Sequence, residues 1–398
     1  MDDASNAPVS RMPAAAVSSV SSRWGGPPAS AAASGGVSAA GPAVDAAPTA
    51  PAPPGILGWD IGGVNTKVAR VADGRVVFAS AHPYEIQRDP AALPALLARL
   101  AASAGATPHD AHAVTMTAEL SQIFRTKREG VGVVLDAVAA AFPEARTAVF
   151  AVDGRFLELD AARAEPLAVA ASNWAATARV VARDCRDAVL VDVGTTTADV
   201  IPIVGGTVVA LGRTDPERLT SGELVYTGAL RTPVEAIVHE VPLAGAWAGV
   251  SAEGFALAGD VHVWRGTLAP ADYTVPTPDG RPATRELAGE RLARVVCADR
   301  DLLDDAAIGA IADHVADAQV ERIAAAVRRV VGRHPELLAG GTAVVTGLGD
   351  FLAAAGAGRA GLRVRHLAES VGDAAARCAP AAAVALLLAE VVAPRPGP

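Results

Sequence analysis

Two stretches of this chain repeat one design. ILGWDIGGVNTK at 56–67 and AVLVDVGTTTADV at 188–200 each run from an apolar segment into an aspartate, through a turn of glycine and hydroxyl residues, and out into a second segment. Asp60 and Asp192 are the equivalent points, 132 residues apart. A short apolar run bounded by turn residues reads as a buried strand, so each stretch predicts a strand that delivers a carboxylate at its carboxyl end, where the chain reverses. A topology that occurs twice predicts two similar α/β lobes facing each other across a ligand cleft.

The flanking segments fit that plan. VARVADGRVVFASAHPY, with its DG turn, predicts a β-hairpin. Residues 91–104 predict a helix, AHAVTMT a strand, and GVGVVLDAVAAAF a helix after a KREG turn. TAVFAVDGRFL predicts a strand pair around Asp153 and Gly154, and residues 168–185 one long helix. The first lobe therefore spans 55–187 and the second 188–392. Within the second lobe, residues 215–300 are rich in proline and read as an insertion or cap, 304–333 as helical, and GTAVVTGLGDFL as a strand, glycine turn and helix. Residues 1–54 are almost all Ala, Ser, Pro, Gly and Val, which predicts a disordered extension; translation starting at Met12 or later is the alternative there.

Composition narrows the function. Hydrophobic residues make up 51% of the 398 and aromatics 4%, so the core is built from Ala, Val and Leu. A net charge of -9, with no Lys/Arg run to follow a phosphate backbone, argues against a nucleic-acid partner. Cys185, Cys297 and Cys378 are widely spaced and odd in number, which fits a reducing cytoplasm better than a disulfide framework. The amino terminus lacks a basic segment followed by an apolar one, and AAAVALLLAEVVA is too short to span a bilayer and carries Glu390. The expectation is a soluble, cytoplasmic protein without a membrane partner; nothing in the sequence speaks to oligomeric state.

Of 34 basic residues only Lys67 and Lys127 are lysines, and both sit in dense polar stretches. Lysine retained in an arginine-rich chain points to a need for a compact ammonium. In the two turns, the backbone at Gly62, Gly63 and Gly194 and the side chains of Asn65, Thr66, Thr195, Thr196 and Thr197 are candidate phosphate ligands. Gly347 and Gly349, in a later glycine turn, are weaker candidates. Bare carboxylates repel phosphate, so Asp60 and Asp192 are read as holding hydrated Mg2+. The eight histidines show no HxH or HExxH spacing.

Residues 60–67 and 192–199 resemble the two phosphate loops of the actin, hexokinase and Hsp70 superfamily, and TGLGDF at 346–351 resembles its later glycine turn. The resemblance implies a two-lobed actin-like (ribonuclease H-like) ATPase fold. Within it the chain is similar to the hydantoinase and oxoprolinase branch. TMTAELSQIFRTKREGV, ASNWAATA, VDVGTTTADVIPI and SGELVYTGALRTPVEAI look like the tetrahydromethanopterin-linked C1 transfer branch, whose members include a methanofuran-core ether synthase. That likeness implies transfer of a furfuryl group from an aminomethyl-furanmethanol diphosphate to the phenol of a glutamyl-tyramine or tyrosine-derived acceptor, releasing diphosphate.

For such chemistry Lys67 and the loop amides would neutralise the leaving group. Lys127 or Arg128 would supply a cation to the phenol, and Glu119 would take its proton or bind the substrate amine, with Asp199 an alternative base. Asn173 and Trp174, which interrupt a small-residue helix, are candidate cleft residues. Glu223, Tyr226, Arg231 and Thr232 are candidates for substrate selection. Two other readings fit the loops: an ATP-dependent kinase or ATP-driven amidohydrolase, and a non-catalytic nucleotide-binding protein. The chain is short for an oxoprolinase, and the second polar block around Glu119 and Lys127 favours chemistry on a second substrate.

Overall fold

The computed structural model describes residues 55–338 and 340–392. The expectations for residues 1–54 lie outside the described residues.

In the first lobe, β1 (Ile56–Ile61), β2 (Asn65–Ala72) and β3 (Arg75–Pro83) form an antiparallel meander. Asp73 and Gly74 join β2 to β3 with φ of 50° and 71°, the doubly left-handed turn that suits strand twist. On its other side β1 pairs in parallel with β4 (Ala111–Met116), followed by β5 (Thr147–Phe150) and the edge strand β6 (Phe156–Leu157), giving the order β3-β2-β1-β4-β5-β6. Every residue of β1 is buried, as expected of a continuous apolar strand covered on both faces. One face packs Leu57, Trp59 and Ile61 against α1 (Leu93–Ser103) and α2 (Lys127–Ala141).

After the short helices α3 (Leu159–Ala164) and α4 (Pro166–Val169), α5 (Asn173–Asp184) leads into the second sheet. There β7 (Ala188–Val193) pairs antiparallel with β8 (Ala198–Val204), which also carries β9 (Thr207–Val208). Helix α6 (Asp215–Ser221) leads to the edge strand β10 (Leu224–Val225). A cap follows, built from the hairpin β11 (Glu240–Leu243) and β12 (Ala246–Gly249) with α7 (Ala258–Arg265) and α8 (Arg285–Arg294). The 27-residue α9 (Asp305–Val331) starts in the cap core and ends in the second-lobe core. Strand β13 (Thr342–Thr346), α10 (Asp350–Arg359) and β14 (Arg363–His366) complete the sheet, in the order β10-β8-β7-β13-β14. The turns α11 (Ala368–Val371) and α12 (Asp373–Arg377) lead to α13 (Ala379–Val392).

The lobes share a core. Helices α5 and α13 lie between the sheets, and their small residues meet Ile56, Ala113 and Phe150 of one and Leu190, Ile201 and Val344 of the other. Gly58 makes this possible: a Cβ there would sit 1.9 Å from the Ala381 carbonyl of α13. The closing helix, which the sequence reading placed in the second lobe, thus packs against β1, β2 and β4 of the first.

Three local expectations are corrected. The long helix over 168–185 breaks at Ala171, whose φ is 48°, so Asn173 and Trp174 begin α5 rather than interrupt it. KREG is the first turn of α2, not a turn before it, because the Thr126 hydroxyl accepts from Glu129 N and caps the helix. Residues 215–300 are not wholly an insertion, since β10 completes the second sheet.

Candidate active site

Register places the acids. Asp60 near the end of β1 stands opposite Lys67 of β2, and Asp192 near the end of β7 stands opposite Asp199 of β8, each pair seven residues apart. In the first lobe the pairing is complementary: Lys67 Nζ donates to Asp60 Oδ2 at 3.1 Å. Burial works against the Lys67 charge, but Asp60 and Asp192 outweigh it and hold the ammonium firmly protonated. In the second lobe the lysine position is an aspartate, so two carboxylates face each other. The missing cation comes from Arg218 of α6, which donates to Asp199 Oδ1 at 2.6 Å and lies 4.3 Å over the Trp174 ring.

The remaining carboxylate is under electrostatic pressure. Burial, then the Asp199 charge, push Asp192 up to about 7 despite Lys67. Burial also raises Asp199, with Arg218 opposing. Asp60 Oδ1 is buried without a hydrogen-bond partner. An orphaned carboxylate oxygen beside a second carboxylate suits a hard cation such as Mg2+, which keeps several waters and takes oxygens from a substrate phosphate. Among the described residues no group of three or more His, Cys, Asp or Glu could enclose a metal without such help.

The two turns touch across the cleft, Asn65 Nδ2 donating to Thr195 Oγ1 at 3.3 Å. Each closes on itself in the same way: Gly62 N donates to Asn65 O, and Gly194 N to Thr197 O. Thr195, Thr196 and Thr197 are partly exposed, whereas Thr66 is fully buried. Strand alternation turns Thr66 away from Asn65 and Lys67, so the cleft face of β2 carries those two and not the threonine. Gly63 keeps open space around its Cα, while Gly347 approaches Asp192 so closely that a Cβ would lie 2.5 Å from Oδ1. Gly349 N donates to Val193 O.

A second polar group, at the starts of α2 and α6, lies within electrostatic reach of Asp199. Glu119 is 1% exposed, neither of its oxygens has a hydrogen-bond partner, and burial pushes it up to about 7 against the pull of Lys127. Lys127 Nζ is 3.5 Å from Glu119 Oε1, too long for a good hydrogen bond, and 2.5 Å from Asp215 Oδ2. Asp215 holds Lys127 more closely than Glu119 does, which leaves Glu119 a buried acid with a long ion pair and no hydrogen bond. The sequence reading missed Asp215 and Arg218. The capping box at Thr214 and Glu217 signals their helix, but the partners of these residues depend on packing.

The other candidates divide. Asn173 is half-buried at the start of α5, and Arg128 is exposed at the start of α2 beside Lys127. Tyr226 and Arg231 are exposed, and the Arg231 amide donates to Thr195 O. Glu223 is not placed to select substrate: it is fully buried, accepts from Leu211 N at 2.8 Å and Gly212 N at 2.9 Å, and pairs with Arg333 at 3.1 Å. Thr232 is likewise structural, its hydroxyl accepting from Gly228 N.

Two α/β lobes, each ending a central strand in a carboxylate and a glycine turn at a common cleft, define an actin-like two-lobed fold. A solved acetone carboxylase in its nucleotide-free form shares it, with a TM-score of 0.52 and 13% identity over 81% of this chain and 70% of that one. The chain belongs to the hydantoinase/oxoprolinase family, which residues 110–391 match. It is 37% identical over 297 residues to the (4-{4-[2-(gamma-L-glutamylamino)ethyl]phenoxymethyl}furan-2-yl)methanamine synthase of Methanocaldococcus jannaschii, covering 74% of this chain and 86% of that one. The enzyme of the same name from Methanococcus vannielii is 40% identical over 114 residues, 29% of this chain and 51% of that one. Among the described residues no helix is long and apolar enough to cross a membrane.

Proposed function

We propose that this protein forms the aryl furfuryl ether of a methanofuran-type cofactor core, joining an aminomethyl-furanmethanol diphosphate to the phenol of a glutamyl-tyramine or tyrosine-derived acceptor. The phenol oxygen bonds to the furfuryl carbon as the carbon–oxygen bond to diphosphate breaks, and the bonding pair leaves with diphosphate. The observation that carries the reading is the apposition of the two glycine turns, with the Lys67 ammonium bonded to Asp60 and within reach of the Asp192 charge. The name of the Methanocaldococcus relative contains the phenoxymethyl-furan ether and its γ-glutamylaminoethyl arm, which supports this product; the diphosphate donor is inferred from the two turns.

The residues divide the work. Lys67 and the amides of residues 63–65 and 195–197 hold the diphosphate and stabilise charge as it develops on the leaving oxygen, the Gly62 and Gly194 amides being spent inside their own turns. Asp60 and Asp192 would hold Mg2+, which when bound neutralises the diphosphate. A phenol ionises near a pKa of about 10, so its proton needs an acceptor at neutral pH. Glu119 fits that need best, because a base is most effective when its pKa lies near the working pH, and neither of its oxygens is spent in a hydrogen bond. Asp199 is committed to Arg218, and Lys127 is held by Asp215 beside the base. The test is mass-spectrometric detection of the ether after purified protein, Mg2+, furan diphosphate and γ-glutamyl-tyramine are combined. Product that disappears in Glu119→Gln and Lys67→Ala supports the assignment; unaltered turnover in both variants overturns it.

A further inference from the structure

The second glycine turn is held from behind by a polar relay. Residues 228–231 lie along its backbone: Ala229 N donates to Gly194 O, and Leu230 N and Arg231 N both donate to Thr195 O. The approach is so close at Gly228 that a Cβ there would sit 2.5 Å from the Thr196 amide nitrogen. The 227–228 segment is in turn gripped by side chains: the Thr232 hydroxyl accepts from Gly228 N at 3.0 Å, and Gln319 makes the other contacts. Gln319 Nε2 donates to Thr227 Oγ1 and to Gly228 O, both at 2.8 Å, and Gln319 Oε1 lies 2.9 Å from His262 Nε2.

The donors and acceptors of this relay are determined. The Gln319 amide gives both protons to residues 227 and 228, so its oxygen must accept, and His262 must donate from Nε2. Burial lowers His262 to about 4, which keeps the ring neutral, with Nδ1 facing the Thr267 hydroxyl at 3.3 Å. Thr227, His262 and Gln319 are all fully buried, and a chain of satisfied hydrogen bonds in a low-dielectric core is stiff.

Gln319 is the polar member of the buried face of α9, and it sits at the junction of two cores: Val315 and Ala316 pack in the cap, while Val320 and Ile323 pack in the second lobe. A leucine or methionine would fill that place in an ordinary core. A glutamine there instead ties α7 of the cap, through α9, to the segment that shapes the turn.

We propose that Gln319 is a positioning residue that holds the 194–197 turn in its diphosphate-binding shape and couples the cap to it. The proposal rests on the reading of that turn as a diphosphate cradle. Gln319 reaches diphosphate only through residues 227–231, so its loss should weaken diphosphate binding without removing any group that touches the ligand.

The test uses the full chain and inorganic diphosphate with Mg2+, with affinity measured by calorimetry below the unfolding transition of every variant. Gln319→Met keeps the volume and removes both donors, and diphosphate binding should weaken about tenfold. Val315→Ala, one turn earlier on the same face, lowers stability while leaving the relay intact and should bind as the wild type does. Thr227→Val removes a single relay bond and should weaken binding about threefold to fivefold, which keeps the test open if Gln319→Met does not fold. Gln319→Met or Thr227→Val binding as tightly as Val315→Ala overturns the proposal alone. Wild-type protein that binds no diphosphate overturns the cradle reading and this inference with it.

Discussion

The Lys127 ammonium lies 2.5 Å from the Asp215 carboxylate, and the two come from opposite lobes: Lys127 opens α2 and Asp215 opens α6. Asn65 and Thr195 make another contact between the lobes, so the lobes are fastened by an ion pair at one point and a hydrogen bond at the other. Lobe closure of this kind sets a catalytic site in many enzymes and excludes water from it.

If that contact acts as a unit, its two members are not additive. Lys127→Ala and Asp215→Ala should each lower kcat/KM about tenfold, and the double variant should be little worse than either single one. A double-mutant cycle measures this; fully multiplicative losses would separate the two residues.

Glu119 predicts two pH effects of opposite sense. Its folded pKa, about 7, is above the ordinary 4.5, so the native state retains a proton that the unfolded chain has lost. Its contribution to stability therefore falls as pH rises from about 4.5 to about 7 and is level above that. Asp192 contributes in the same direction when no cation is bound. Thermal unfolding from pH 5 to 8 should consequently show a smaller decline in Glu119→Gln than in the wild type. Turnover should rise through pH 7, where the base ionises, and the same variant should lose that limb.

Chelation should remove activity, by about a hundredfold or more, and added Mg2+ should restore it. Asp192→Asn should need far more Mg2+ for half-maximal rate. Activity that survives exhaustive chelation would leave Lys67 and the backbone amides as the only support for the leaving group.

Glu223→Ala should act on stability alone. It leaves the buried Gly212 amide, the part-buried Leu211 amide and one arm of Arg333 without their acceptor, a change that costs about 2 to 3 kcal/mol. Denaturant unfolding should report the loss, with KM for both substrates unchanged at a temperature where the variant is folded. Glu223→Gln should recover part of the stability.

The contrast between Glu223 and Asp60 shows what the sequence made legible. The placement of Asp60 and Asp192 near paired strand ends is legible because a strand ending in an acid and a glycine turn is a local pattern, and the pattern occurs twice. The hairpins, the parallel strands and most helices followed from the same short-range periodicities. Glu223 sits in an equally polar stretch, but its role is set by Arg333, 110 positions away, which no local pattern reveals. Arg218 was overlooked for the same reason: its importance comes from the aspartate that replaces lysine at position 199 of the second repeat. The packing of α13 on the first sheet depends on Gly58 meeting Ala381, a contact between chain segments more than 300 residues apart. KREG was misread because Gly130 suggested a turn, whereas it permits α2 to approach the Glu119 backbone.

The most direct measurement of the central claim is the release of diphosphate and phosphate by the purified chain with Mg2+, comparing the furan diphosphate with a glutamyl-tyramine or glutamyl-tyrosine acceptor against ATP. Diphosphate that appears only when furan donor and phenol are both present is the predicted result. Phosphate released from ATP while the furan donor stays inert would contradict the account and place the protein with ATP-dependent kinases or amidohydrolases.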